Sequence, residues 1–259
     1  MKTIIVNADD FGLNDHTVEW TIKGFESGAL TSATIMAGMP STDKSVEYAK
    51  AHPQFSFGVH FYLVDETPMC KPEDIPSMID PSTGKLWSTR QFILRNFAGL
   101  IKVEDLKREM RVQYLSLKNA GVPISHIDGH GHNHRLPQSI KALVELKEEL
   151  GFSKVRRCQD LACKGTRLGI LSRIINNPMQ NRLSWAKMTD HFLMNAGHTS
   201  DPQWFSKALG ALPDGVTEVG VHPGSDEEWR RVDTEDCFAN CRRLCEDLCI
   251  KRINFNDLT

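Results

Sequence analysis

The sequence of 259 residues predicts a parallel α/β fold, a closed or nearly closed (β/α) barrel in a single domain spanning 1–259. Two observations carry this expectation. Short β-type runs alternate with longer amphipathic segments, the pattern of a parallel sheet connected by helices. The length is generous for an ordinary domain but normal for one barrel, which takes about 250 residues.

Taken in order, Thr3 to Ala8 is β-branched and apolar and reads as a buried first strand. Thr17 to Ser27 has helical spacing in Val18, Ile22 and Phe25, with Gly28 as its stop. Ala33 to Met39 reads as a second strand, and Ser41 as the cap of a helix running toward Pro53. Phe55 to Leu63 is a third strand. The stretch from Val64 to Trp87 carries Pro68, Pro72, Pro76 and Pro81 and reads as a long irregular loop. Helices follow over Thr89 to Leu100 and Val103 to Ala120, then a fourth strand over Ile124 to Asp128. Pro137 opens a helix at its favoured first position and Gly151 closes it. Lys154 to Arg157 is expected to be a fifth strand. Leu161 to Asn195 is the least readable stretch, with a helical patch over Leu168 to Ile175. Asp201 should cap a helix to Leu212. Val216 to Val221 is a strand, Thr234 to Cys249 a helix and Arg252 to Phe255 a last strand.

Composition narrows the functional classes. A net charge of -2 offers no basic excess for nucleic acid and no cluster for a membrane surface. No run approaches the ~20 apolar residues of a membrane span. The apolar run after Met1 stops at Asp9-Asp10, too soon for a secretion signal, so a cytoplasmic protein is expected. Seven cysteines then read as free thiols. Cys237, Cys241, Cys245 and Cys249 recur every fourth residue. On one helix they would span roughly 18 Å, so they cannot share one zinc ion. They read as small hydrophobes buried along a helix face.

The polar anomalies fall where strands end. Asp9-Asp10 closes the first strand, His60 lies near the end of the third, and Asp128-Gly129-His130-Gly131-His132-Asn133-His134 leaves the fourth. His222-Pro223-Gly224 leaves the strand before it. Parallel α/β folds place active sites at the carboxyl ends of strands, so four regions point to one rim. Imidazoles with a carboxylate suit a two-histidine, one-carboxylate metal site. The spacing within the cluster leaves His132 and His134 as rival ligands to His130. Two adjacent carboxylates can divide the work, one as ligand and one as general base.

In this order, Asn7-Ala8-Asp9-Asp10-Phe11-Gly12, Thr31-Ser32-Ala33-Thr34, Gly58-Val59-His60, His126-Ile127-Asp128-Gly129-His130-Gly131-His132-Asn133-His134 and Val221-His222-Pro223-Gly224 resemble the YdjC-like carbohydrate deacetylases, the family of chito-oligosaccharide deacetylases. The resemblance runs from residue 3 to about 250 and weakens over 65–120 and 161–215. It implies a distorted, TIM-like (β/α) barrel and hydrolysis of the N-acetyl group of an acetylated amino sugar or short chito-oligosaccharide, releasing acetate. It further implies Asp10, His60 and His130 as ligands of one divalent metal ion, Mg2+ or Zn2+. Asp9 would be the catalytic base, and His222 the acid that protonates the leaving amine. Arg156 matches a family arginine that would orient Asp9 or the substrate. Phe61 is an expected sugar-stacking residue, with Trp87, Trp204 and Trp229 as further aromatic candidates. Gly129 departs from the family, where Ser is frequent. The expected partner is a small-molecule amino sugar or oligosaccharide; neither nucleic acid nor membrane is expected, and a homodimer stays open. The rival readings are another metal-dependent barrel hydrolase, of amidohydrolase or phosphoesterase type, and a non-catalytic sugar-binding relative.

Overall fold

A computed structural model describes residues 1–258, the side chains of 171–175 apart. The chain runs β1 (Lys2–Phe11), α1 (Asp15–Glu26), β2 (Ser32–Ile35), α2 (Thr42–Ala51), β3 (Ser56–Phe61), α3 (Thr89–Phe97), α4 (Val103–Asn119) and β4 (Ile124–Gly129). It continues through α5 (Pro137–Leu150), α6 (Ile170–Arg182), β5 (His191–Met194), α7 (Trp204–Ala211), β6 (Gly215–Val221), α8 (Glu228–Asp247) and β7 (Lys251–Arg252). The strands form one sheet in the order β4-β3-β2-β1-β6-β5, with β7 also on β1, and every pairing is parallel. Single bridges join Ile127 to Val155 and Leu161 to Leu193, so the segment between carries the ring across from β4 to β5. The result is the distorted barrel that the sequence leads one to expect.

Helix boundaries follow local chemistry. Asn14 and Thr17 form a reciprocal capping box at the start of α1. Gly151 closes α5 in the left-handed conformation, at φ 79°. Elsewhere the structure corrects the sequence reading. The expected strand at Lys154–Arg157 shrinks to isolated bridges, Ile127 to Val155 on one side and Lys154 to Lys187 on the other, with Arg156 N–H still donating to the Ile127 carbonyl at 3.0 Å. A strand, β5, lies in the stretch that gave no clear reading. Asp201 does not cap α7, which begins after Gln203. Helix α8 starts at Glu228, a turn and a half before Thr234, and β7 is two residues long, with Phe255 already in a 3-10 turn. Cys237, Cys241 and Cys245 are buried, as a core face requires, but Cys249 lies beyond the end of α8 and is exposed.

Side-chain alternation along the strands sorts the interior into two layers. Ile4, Val6 and Ala8 of β1, Val59 and Phe61 of β3, and Val219 and Val221 of β6 all belong to one large apolar cluster. On the other face of β1, Ile5 forms a separate small cluster with Phe255 and Leu258. The next residues on that face, Asn7 and Asp9, are buried and polar. The same holds for Ser32 and Thr34 on β2, His60 on β3, His126 and Asp128 on β4, and Glu218 on β6. Barrel interiors are ordinarily filled with branched apolar side chains. Here an apolar floor carries a polar column that rises to the rim.

Candidate active site

An unbroken strand would send Asp9 and Asp10 to opposite faces. Instead, the register between β1 and β2 passes from Ala8–Ala33 to Phe11–Ile35, three steps against two. The extra residue is absorbed where Asp10 adopts φ 60°. That left-handed backbone costs a non-glycine residue about 1–3 kcal/mol and persists only where the surroundings enforce it. Both carboxylates thereby stay buried at one rim.

Asp10 divides its two oxygens. Oδ1 lies 2.9 Å from His130 Nδ1 and 3.3 Å from His60 Nε2, while Oδ2 accepts from Arg230 Nη2 at 2.9 Å. His60 is fixed from behind, with Nδ1 2.7 Å from Asp128 Oδ1. Thr34 donates to Asp128 Oδ2 at 3.1 Å and accepts from Asn7 Nδ2 at 3.2 Å. A carboxylate only accepts, so Nδ1 of His60 carries a proton and Nε2 is the atom turned toward Asp10 and His130. Burial opposes charge on His60, yet Asp128, Asp10 and Asp9 raise its pKa to about 10. A ring encircled by carboxylates marks a place that demands positive charge.

The ligand atoms of Asp10, His60 and His130 lie within 4.8 Å of one another. Two imidazoles and one carboxylate, one imidazole already oriented by a second carboxylate, fit a divalent cation by donor chemistry. Asp9, His60 and Asp128 also cluster within 4.8 Å, but a guanidinium fills that place. Arg156 Nη1 lies 2.6 Å from Asp9 and 2.7 Å from Asp128. The rival histidines stand apart from both clusters. His132, at φ 56°, packs its ring on Phe192 and lies 2.9 Å from Met194 Sδ. His134 lies 3.4 Å from the Arg156 carbonyl. Burial pushes the pKa of His132 well down and that of His134 to about 4, so both rings are neutral.

Arg156 is completely buried and gathers three acids: Asp9 through two 2.6 Å contacts, Asp128, and Glu218 at 2.7 Å. It orients Asp9 and has no surface left for a substrate. Asp9 Oδ1 accepts from both Arg156 and Asn7, which uses both of its lone pairs. Oδ2 accepts from Arg156 alone and lies 3.9 Å from His222 Nε2. Burial favours the neutral acid at Asp9, but Arg156, His60 and His222 prevail and hold its carboxyl far below the usual carboxylate range.

His222 follows β6, and Asp233 of α8 holds it by two bonds to one oxygen. The backbone N–H donates at 2.8 Å and Nδ1 at 3.0 Å. Burial lowers the pKa of His222, but Asp233, Asp9 and Asp10 outweigh it and leave the ring above its ordinary value. Its Nε2 therefore faces a cavity of 280 Å³ bordered by Asp9, Gly129, His132, Arg135 and His198. A carboxylate fixed by Arg156, an imidazole held by Asp233 and a three-donor cluster thus share one rim.

Phe61 does not join them, and this corrects the sequence expectation. It follows His60 on β3 and so points to the opposite face, fully buried in the apolar layer. Trp204 is buried as well, and Trp87 sits under Arg95, whereas Trp229 lies half-buried with its ring 5.3 Å from His222. Thr34, Glu218, Arg230 and Asp233 carry no role in the reading of the sequence. Arg230 and Asp233 precede the helix expected from Thr234 and join it only because α8 begins at Glu228. With Cys237, Cys241 and Cys245 they lie on one stripe of α8, so two charges occupy positions where the helix is otherwise buried.

Comparison with known proteins gives the family and the fold. The YdjC-like protein family model matches residues 3–248, and the chain belongs to that family. It is 32% identical to a carbohydrate deacetylase of Geobacillus stearothermophilus over 56% of its own length and 55% of that protein's. It is 26% identical to one from Thermoanaerobacter pseudethanolicus over 86% of this chain and 81% of the other. The chain thus spans little more than half of the first of these relatives and most of the second. Among solved structures, a proposed cellobiose-phosphate cleavage protein of Enterococcus faecalis V583 shares the fold, with a TM-score of 0.79. That likeness has 20% identity over 100% of this chain and 99% of the other. No helix among the described residues is long and apolar enough to cross a membrane.

Proposed function

We propose that this protein is a metal-dependent carbohydrate deacetylase that hydrolyses the N-acetyl group of an acetylated amino sugar or short chito-oligosaccharide, releasing acetate. The whole described chain acts as one catalytic unit. The observation that carries the reading is the pairing of Asp9 and His222, 3.9 Å apart, beside the Asp10–His60–His130 cluster. Amide hydrolysis needs a base at the attacking water, an acid at the leaving nitrogen and an electrophile at the carbonyl, and we assign these to Asp9, His222 and the Asp10–His60–His130 cluster. The names of the relatives, carbohydrate deacetylases, support the substrate class.

Asp10, His60 and His130 would hold the ion, and two imidazoles favour Zn2+ over Mg2+, which prefers oxygen donors. When bound, a divalent cation acts as a Lewis acid on the acetamide carbonyl and lowers the pKa of water. The protein's own groups do the rest. Asp9 Oδ2 accepts the proton of the attacking water, Arg156 keeps that oxygen aimed, and His222 Nε2 donates to the departing amine. Arg156 also depresses the basicity of Asp9, so the same contact that aims the carboxylate makes it ionised at every working pH and a weak base.

The test is acetate release from N-acetylglucosamine, its dimer and acetylated sugar phosphates, by metal-stripped and by zinc- or magnesium-loaded protein. Release that requires the ion and disappears in His130→Ala supports the reading. Absence of acetate from every substrate, by folded and metal-loaded protein, rejects it.

A further inference from the structure

Arg230 enters the rim from the first turn of α8 and is only 6% exposed. Its Nη2 donates to Asp10 Oδ2 at 2.9 Å, Nε to Glu227 at 3.2 Å and Nη1 to the Pro223 carbonyl at 3.5 Å. The guanidinium carbon lies 4.7 Å from the centre of the Trp229 ring. Its path passes over Gly224, where an added Cβ would lie 2.7 Å from Arg230 Cδ. The arginine is therefore held along its length before it reaches Asp10. It takes the one carboxylate oxygen that the histidine pair leaves free.

We infer that Arg230 is a positioning residue for the cation site: it grips Asp10 by Oδ2, so that Oδ1 alone is offered beside His60 and His130. This rests on the reading of those three residues as a divalent-cation site. The mechanism is geometric. Asp10 sits on a strained left-handed backbone, and a free carboxylate there could rotate to present both oxygens or turn away. A bond to the second oxygen removes both alternatives. The positive charge of Arg230 opposes a cation nearby, but the guanidinium is neutralised in turn by Glu227 as well as Asp10. Pre-organisation therefore outweighs repulsion, and partners of this outer kind typically contribute 10–100-fold to metal affinity.

The experiment titrates metal-stripped full-length protein with Zn2+ by calorimetry, and with Co2+ by its visible ligand-field absorption. Arg230→Met should bind both ions 10–100-fold more weakly and shift the Co2+ band, because the coordination of Asp10 changes. Arg230→Lys should fall between Met and wild type. Gly224→Ala should resemble Arg230→Met in part, since it displaces the arginine without deleting it. A purely structural role would lower the melting temperature of the stripped protein and leave both the affinity and the Co2+ spectrum untouched; that result, or tighter binding by Arg230→Met, overturns the inference. If Arg230→Met does not fold, the Lys and Ala variants decide. His130→Ala separates the two readings. Should it bind zinc as wild type does, the cation site itself is wrong; should it lose zinc while the Arg230 and Gly224 variants keep wild-type affinity, the positioning role alone is wrong.

Discussion

His60 Nδ1 lies 2.7 Å from Asp128 Oδ1, and that contact decides which nitrogen of His60 faces Asp10 and His130. The carboxylate fixes the proton on Nδ1 and leaves Nε2 to the rim. Asp128→Asn can accept at the same place only if its amide oxygen is turned there, and it removes the charge that makes the imidazole a stronger donor. Zinc affinity should fall about 10–100-fold in Asp128→Asn, measured by calorimetry. Unchanged affinity would mean that the ring is oriented by Thr34 and packing alone.

Asp9→Asn should keep the cation and lose catalysis. Arg156 retains Asp128 and Glu218, so the barrel interior stays paired. The variant should bind zinc within a few-fold of wild type and lose ~10²–10⁴ in kcat, the usual worth of a proton acceptor. Loss of zinc with turnover restored at saturating metal would exchange the roles of Asp9 and Asp10.

Asp233 tunes His222. The folded pKa of His222 is raised above 6.5, so its contribution to stability is complete below that value and is lost as pH rises through the folded pKa. As proton donor it must be charged, and kcat should fall on the alkaline side. Asp233→Asn should move that limb toward lower pH. His222→Ala should slow acetamide substrates far more than an activated ester with a good leaving group, because only the amine needs protonation to depart. Equal slowing of both, in folded and metal-loaded protein, would remove His222 from the chemistry.

Glu218 is the third acid on Arg156, and its Oε2 has no partner. Burial, with Asp128 and Asp9 nearby, outweighs Arg156 and raises its pKa from 4.5 to about 7. A raised pKa favours the protonated folded state, so this contribution is full below 4.5 and is lost by pH 7. Glu218→Gln mimics the neutral acid at every pH. The variant should match wild type near pH 4 and exceed it by about 2–3 kcal/mol near pH 8, measured by urea unfolding. A pH-independent difference would show that Glu218 stays ionised.

Thiol labelling gives a further check. Cys249 is exposed and Cys237, Cys241 and Cys245 are buried. The neighbouring thiols of α8, with burial behind them, also push the thiols of Cys241 and Cys245 up and keep them protonated. Cys249 should react with a disulfide reagent before any of those three, and Cys249→Ser should delete that fast phase.

Much of the site could be read from residue type and position, because strand ends in a parallel fold share a rim. Asp9, Asp10, His60, His130 and His222 were each placed that way. What escaped depended on orientation rather than composition. The choice of His130 over His132 turns on the left-handed backbone at Gly131 and His132, which swings the later ring toward Phe192. Phe61 was misplaced although period-two alternation after His60 puts it on the far face. The strand expected at Lys154–Arg157 survives only as single bridges to Ile127 and Lys187, a length that residue type does not reveal. Strand β5, His191-Phe192-Leu193-Met194, contains no β-branched residue and is flanked by irregular chain, so no local signal marked it.

The apolar floor of the barrel bears on how the chain reaches this state. Ile5, near the beginning, meets Phe255 and Leu258, near the end. Strand β1 pairs with β2 across a short stretch of sequence, but its other edge waits for β6 and its base for β7. Strands β1, β2, β3 and β4 alone make a crescent, and the polar column inside it is closed only where β6, β5 and the segment from Val155 to Leu161 complete the ring. Arg156 and its three acids are therefore enclosed by strands far apart in sequence, and pairings of such long separation make folding slow.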